Sequence, residues 1–361
     1  MRKANVFAGL VVTVLLLLKG VSYGETTVNW IANVSAGATW EDEANWDPRA
    51  PMDSDIATFT SEQANNYTVT VAEKARAGGL AFKRSYTFDG TGSFDLRGNN
   101  EKGNNFVHNQ AGVTATFNIP VAVQQSGPTA GSFASFVSVA GGKIIFNKAL
   151  KSTGTAGAVN LVRDVELNGD IDLTTRLRMN TGSGNNQVVT IGGKGTTRSA
   201  LYWILTGDLK LYLNRTGAYV TDDKYMYVEQ ARVYLGADNA VAAGTNIRFK
   251  TAGYGLAAQG FNQDFGWMDA DADIVLDMGG SDSVWTFQDS SFAATAWGAT
   301  SVKIINPGKS IIRFAIDSAN GGTGLSDSQI KKINLNGKTL SRDDVREEAG
   351  FLYITPNQIL G

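Results

Sequence analysis

Asp269, Asp271 and Asp273 alternate along Met268-Asp269-Ala270-Asp271-Ala272-Asp273-Ile274, with Asp277 just beyond. Alternate residues of an extended strand point to one side, so this trio can offer oxygen ligands to Ca²⁺. The setting lacks the Gly and Glu of a helix–loop–helix calcium loop, and no GGxGxD nonapeptide accompanies it. The plainer reading is a solvated outer face. A second acidic group, Glu41-Asp42-Glu43, supplies carboxylates, but glycoside hydrolysis needs two held at a defined separation across a cleft. His108 is the one imidazole, so a Ser-His-Asp triad has a single residue to draw on. No catalytic residue is assigned.

Aromatic residues form the other group of interest. Tyr202, Trp203, Tyr212, Tyr219, Tyr225, Tyr227 and Tyr234 fall close together. In Lys224-Tyr225-Met226-Tyr227-Val228, Tyr225 and Tyr227 share one face, and Met226 and Val228 share the other. Facing outward, the tyrosines make a contact surface for carbohydrate or protein; facing inward, they are core stacks. The outward reading makes Tyr225 and Tyr227 the candidate contact residues.

Composition closes off several chemistries. The 361 residues carry 32 basic and 34 acidic side chains, a net charge of −2, with no Cys. A nucleic-acid protein would show a positive field, and none is present. Disulfide frameworks, Fe–S clusters, thiolate zinc sites and cysteine nucleophiles all need the missing thiols. Gly321-Gly322-Thr323-Gly324 is followed by no Lys-Ser/Thr on a helix, so it is not a phosphate cradle. Apart from Ca²⁺, no cofactor is expected.

The elements that must position these residues are strands. Tyr67–Val71, Val113–Ile119 and Asp208–Leu213 alternate with period two, which marks half-buried sheet. Further runs lie at Lys143–Phe146, Val165–Leu167, Ile171–Leu173, Val188–Ile191, Arg232–Leu235, Ile247–Lys250, Ile274–Leu276, Val284–Phe287, Val302–Ile305 and Ile311–Ile316. Between Val165 and Phe314 they recur at irregular intervals, often on the order of 20 residues, which is near one solenoid coil. Stacked coils bury a continuous apolar column while each touches only its neighbours. The expectation is therefore an all-β chain: a single elongated right-handed parallel β-helix. A pair of β-sandwiches and an outer-membrane barrel are the alternatives.

The ends carry their own signals. Arg2 and Lys3, the apolar run Val6–Leu18, and Ser22 and Gly24 before Glu25 have the layout of a secretory signal peptide. The run is shorter than the roughly 20 residues that span a bilayer. Trp40 and Trp46 suit a first coil that covers the open core, or else a sugar-stacking platform. Near the other end, Ser326 followed by Gln329 forms a capping box. It opens a short helix in which Ile330 and Ile333 share a face.

These features together resemble a known group. The opening Trp40…Asn45-Trp46…Pro48…Asp53…Phe59, the Gly-punctuated strands, and the closing Arg313-Phe314…Gly324-Leu325-Ser326-Asp327-Ser328-Gln329-Ile330-Lys331-Lys332-Ile333…Gly350–Pro356 carry the likeness. They are similar to secreted proteins of the autotransporter-associated β-strand repeat and PEP-CTERM type, abundant in Verrucomicrobia, Lentisphaerae and Planctomycetes. The resemblance implies an exported β-solenoid without known catalysis. The Val-Pro-Glu-Pro motif, apolar helix and basic tail that often follow in that group do not follow Pro356 here.

The combined expectation is a signal peptide over 1–24, a β-solenoid over 25–315 and a C-terminal capping segment with its short helix over 316–361. The mature chain is expected outside the cell or on a bacterial surface, with no membrane span after signal cleavage. Its expected role is that of a non-enzymatic structural or adhesive element whose partners are polysaccharide or other surface proteins, not nucleic acid. The alternative is a polysaccharide-active β-helix enzyme, a lyase or glycoside hydrolase.

Overall fold

A computed structural model describes residues 26–32, 38–59, 67–97, 105–124, 133–139, 141–153, 158–179, 187–292 and 297–356. The expected signal peptide, 1–24, and the His108 side chain lie outside the described residues.

Alternation of apolar and polar residues makes each short segment a strand with one greasy side, and no such strand can bury that side alone. The chain solves this by winding. Gly79–Phe82, Tyr86–Asp89 and Ser93–Leu96 lie on three successive sides of one coil. Asn105–Asn109, Thr114–Phe117 and Val121–Val123 then stack on them in parallel register. Repetition gives a β-solenoid of about 9 turns, the expected parallel β-helix. A 12-stranded first sheet and a 14-stranded second sheet cover two sides. The third side carries six strands, from Lys74–Ala77 to Thr197–Ser199, and later five. Single bridges Ser199↔Thr221 and Tyr219↔Val241 lie on that side between the two groups.

Parallel register places like residues over like. Phe88, Phe117 and Phe146 stack at 5.2 Å steps with ring planes nearly parallel. Phe265, Phe287 and Phe314 repeat the device near the C-terminal end. Corners use the same logic with polar groups. Asn168 Nδ2 donates to Asn147 Oδ1, and Asn147 Nδ2 to Asn118 Oδ1, at 2.9 and 2.8 Å. One residue further on in the same corner there is no room for a side chain: a Cβ on Gly169 would lie 2.2 Å from the Lys148 carbonyl. Arg215 reaches into that region, donating to Gly169 O, Gly192 O and Thr197 Oγ1 across neighbouring coils.

Both ends of the column are closed. Trp46–Asp47 pairs antiparallel with Thr27–Trp30, and Trp40 and Trp46 meet edge-on at 4.6 Å, each 4% exposed. That burial makes the two indoles a plug for the core, not a sugar platform. At the other end the helix is the single turn Asp327–Ile330, with Ser326 and Gln329 forming the capping box. It stops before Ile333, so Ile330 and Ile333 do not share a helical face. Ile333 instead opens the strand Ile333–Leu335, which stacks parallel on Val302–Ile305. Parallel winding thus runs on past Ala315 to Leu335. Lys338–Thr339, Arg346–Glu348 and Phe351–Ile354 then turn antiparallel and finish the sheets. No helix among the described residues is long and apolar enough to cross a membrane.

Candidate functional site

Four consecutive rungs of the first sheet, Trp203–Leu205, Tyr225–Val228, Asn246–Phe249 and Met268–Ala270, bring Tyr225, Tyr227 and Asp269 onto one wall. Trp203, Met226, Ile247 and Met268 are in register and fully buried. Alternation therefore sends the next column, Ile204, Tyr227, Arg248 and Asp269, to the outer side. Tyr225 and Tyr227 are half-buried there while Met226 and Val228 fill the core.

The rings form a connected surface. Tyr202 and Tyr227 lie 4.6 Å apart, and Tyr225 and Tyr227 are near-parallel at 5.9 Å. Trp267 meets Tyr225 edge-on at 5.8 Å. Cations flank them: the Arg176 guanidinium lies 5.2 Å from the Tyr202 centroid, and Lys250 Nζ lies 4.9 Å from that of Tyr227. Partial burial, followed by the nearby Tyr202 and Tyr225, pushes the Tyr227 phenol up from its ordinary value. It stays a neutral hydrogen-bonding group at physiological pH.

Buried neighbours hold the surface in place. The Tyr219 hydroxyl donates to the Tyr225 carbonyl and accepts from Trp203 N at 3.2 Å. Asp223 accepts from Tyr202 N at 2.8 Å and Tyr225 N at 3.3 Å, so one carboxylate ties two rungs together.

The acidic trio divides. The strand ends at Ala270, and the alternation that would align all three carboxylates ends with it. Asp269 is 3% exposed and faces Arg248 Nε at 3.4 Å, while Asp271 meets the same nitrogen at 2.9 Å. A carboxylate this buried needs such a cation, because removing one partner would leave the other charge uncompensated. The hydrogen bond that Arg248 donates to Asp271, then the charges of Asp271 and Asp269, hold the Arg248 pKa above its ordinary value. Asp273 turns elsewhere. It accepts from Ser301 N at 2.9 Å and from Thr300 N and Oγ1 at 2.6 and 2.9 Å, bonds that lower its pKa. Asp277 sits on the second sheet, bonded to Gly279 N and Asn306. Among the described residues, no three His, Cys, Asp or Glu side chains are grouped to hold a metal ion.

No protein-family model, curated protein or solved structure matches the chain.

Two of the Glu41-Asp42-Glu43 group serve the backbone. Glu41 accepts from Ala72 N and Glu73 N, and Asp42 from Ala44 N. Sequence alone places Tyr202 in the aromatic cluster without a face and gives Trp267, Lys250 and Arg176 no place in it. The signal for Arg248 was available, because Tyr227, Arg248 and Asp269 are spaced by about one coil each. Reading it needed the register of the rungs, which alternation within a single strand does not provide.

Proposed function

We propose that this chain is an exported, non-enzymatic scaffold on the bacterial cell exterior, related to the autotransporter-associated repeat proteins it resembles. In this reading it adheres to polysaccharide or to other surface proteins through the Tyr225–Tyr227 wall. The observation that carries the reading is the group of half-buried rings, Tyr202, Tyr225, Tyr227 and Trp267, in contact with one another on one wall and flanked by Arg176 and Lys250. Such rings offer flat apolar area with polar tips and little side-chain entropy to lose on contact. A rigid parallel stack keeps the spacing of those rings fixed.

The test is a glycan array and a cell-wall pull-down with the full chain, beside a variant carrying Tyr225→Ala and Tyr227→Ala. The variant is expected to lose at least tenfold in binding with an unchanged melting temperature. Equal binding by both proteins would remove the Tyr225–Tyr227 wall from the proposal.

A polysaccharide-active enzyme remains the second reading because Arg248 stands against Asp269 and Asp271 beside the same rings. Turnover of any soluble polysaccharide that Asp271→Asn abolishes would establish it in place of the scaffold.

A further inference from the structure

The outer side of the second sheet carries a separate feature, on rungs Leu209–Leu213, Ala231–Leu235, Gly255–Ala257 and Ile274–Asp277. Tyr212 and Tyr234 are directly paired in register and stack at 4.5 Å with ring planes 11° apart. The next position of that column is Ala257, and the one after it is Asp277. In the adjoining column Arg232 is followed by Gly255 and then Val275. The stack of rings is thus cut off by a rung without bulk, and Tyr234 and Arg232 form one wall of the gap.

A cleft of about 210 Å³ occupies it. Tyr234 and Arg232 stand on one side, and Val275, Asp277 and Ile305 on the other, with Tyr254 also in the lining. The floor cannot be filled at position 255, where a Cβ would lie 1.7 Å from Val275 O. Rungs are about 4.8 Å apart, so the walls two rungs apart are separated by roughly 10 Å. After the side chains take their share, one ring thickness is left. The volume is well under the roughly 300–1,000 Å³ of a drug-sized pocket, which limits the occupant to a single small ring.

We infer that this cleft binds one neutral hexopyranose unit of a glycan, whose flatter C–H face stacks on Tyr234 in the position a third tyrosine would have taken. Arg232 donates to ring hydroxyls from one wall. Asp277, held in place through Gly279 N and Asn306, accepts from the other. The opposite charges of these two groups favour a hydroxyl-rich neutral ligand over an anion, which Asp277 would repel. The site lies on a different sheet from the Tyr225–Tyr227 wall and stands whether or not that wall is adhesive.

The experiment is calorimetric titration of the full chain with hexaoses of β-1,4-glucose, β-1,4-mannose and α-1,4-galacturonate. At least one neutral hexaose is expected to bind. Tyr234→Ala is expected to weaken it at least tenfold, and Ala257→Tyr to abolish it by completing the stack while the melting temperature is kept. In a background carrying Tyr225→Ala and Tyr227→Ala, which removes any binding at the other wall, Tyr234→Ala and Ala257→Tyr are expected to have the same effects. No binding by either neutral hexaose, tighter binding of the galacturonate, or undiminished binding by a folded Ala257→Tyr protein would each overturn the assignment.

Discussion

Arg215 shows how much of this structure hangs on single side chains that no surface function explains. It is 6% exposed and donates to two carbonyls and a threonine hydroxyl at 2.8–2.9 Å across neighbouring coils. Removing the guanidinium leaves acceptors without partners in a buried corner, at about 1–3 kcal/mol each. Arg215→Met keeps most of the stem and is expected to destabilise the chain by about 3 kcal/mol in urea unfolding. Arg198 is the control. Its ion pair with Asp222 is at the surface, with 71% and 51% of the two side chains exposed, and Arg198→Met should change stability by under about 1 kcal/mol. Equal effects from the two substitutions would mean that Arg215 is not the tie described.

Among the elements, the C-terminal loop depends on one carboxylate. Asp289 accepts from Ser291 N and Oγ, from Asp317 N and from Gly324 N, and so clasps segment 317–324 to the coil before it. Burial alone would raise its pKa, but these hydrogen bonds together outweigh it and the value falls below the ordinary one. The sign follows. A carboxyl depressed in the folded state stabilises fully above its unfolded value near 3.9, and that contribution is lost as pH falls through the lower folded value. Hydrogen-exchange protection of the Asp317 and Gly324 amides, corrected for intrinsic rates, should therefore drop below about pH 4 in the natural chain. In Asp289→Asn it should be lower at neutral pH and flat across that range. The same pH response in both proteins would assign the loss to another group.

Strands of the second sheet were legible in the sequence because they alternate cleanly. Lys143–Phe146, Val165–Leu167 and Val302–Ile305 have the bounds that alternation gives. Many strands of the other sides were not. Lys74–Ala77 reads Lys-Ala-Arg-Ala, and Leu150–Ser152 is three residues with Lys151 at its centre, too little apolar contrast for a period to emerge. The candidate site was half legible for a related reason. Tyr225 and Tyr227 share one strand, whereas Tyr202, Arg248 and Trp267 join them only through register between coils. Alternation cannot align the acidic trio because the strand stops at Ala270, where the chain bends.

For the whole molecule, stability is shared between neighbouring coils and not pooled in one globule. Trp46 packs on Trp30 and Trp40 at the N-terminal end, 4.8 and 4.6 Å away, with its Nε1 bonded to Trp40 O. Trp46→Ala is expected to cost about 3–5 kcal/mol, and to do so locally. Amides of Thr27–Trp30 and Ile56–Phe59 should lose exchange protection while those of Leu209–Leu213 keep theirs. Uniform loss along the column would show that the coils unfold as a single unit.

The antiparallel strands at the two ends have a consequence for how copies meet. A stack of parallel rungs is a template: its last row of amides and carbonyls invites another identical row, as in amyloid growth. Here Trp46–Asp47 runs the wrong way over the first rung of the first sheet, Lys338–Thr339 does so at the far end of the second, and the exposed, charged Arg346–Glu348 forms the last edge of the third side. Continuing the parallel stack across Trp46–Asp47 or Lys338–Thr339 would require a reversed row, which disfavours joining of copies through those two edges.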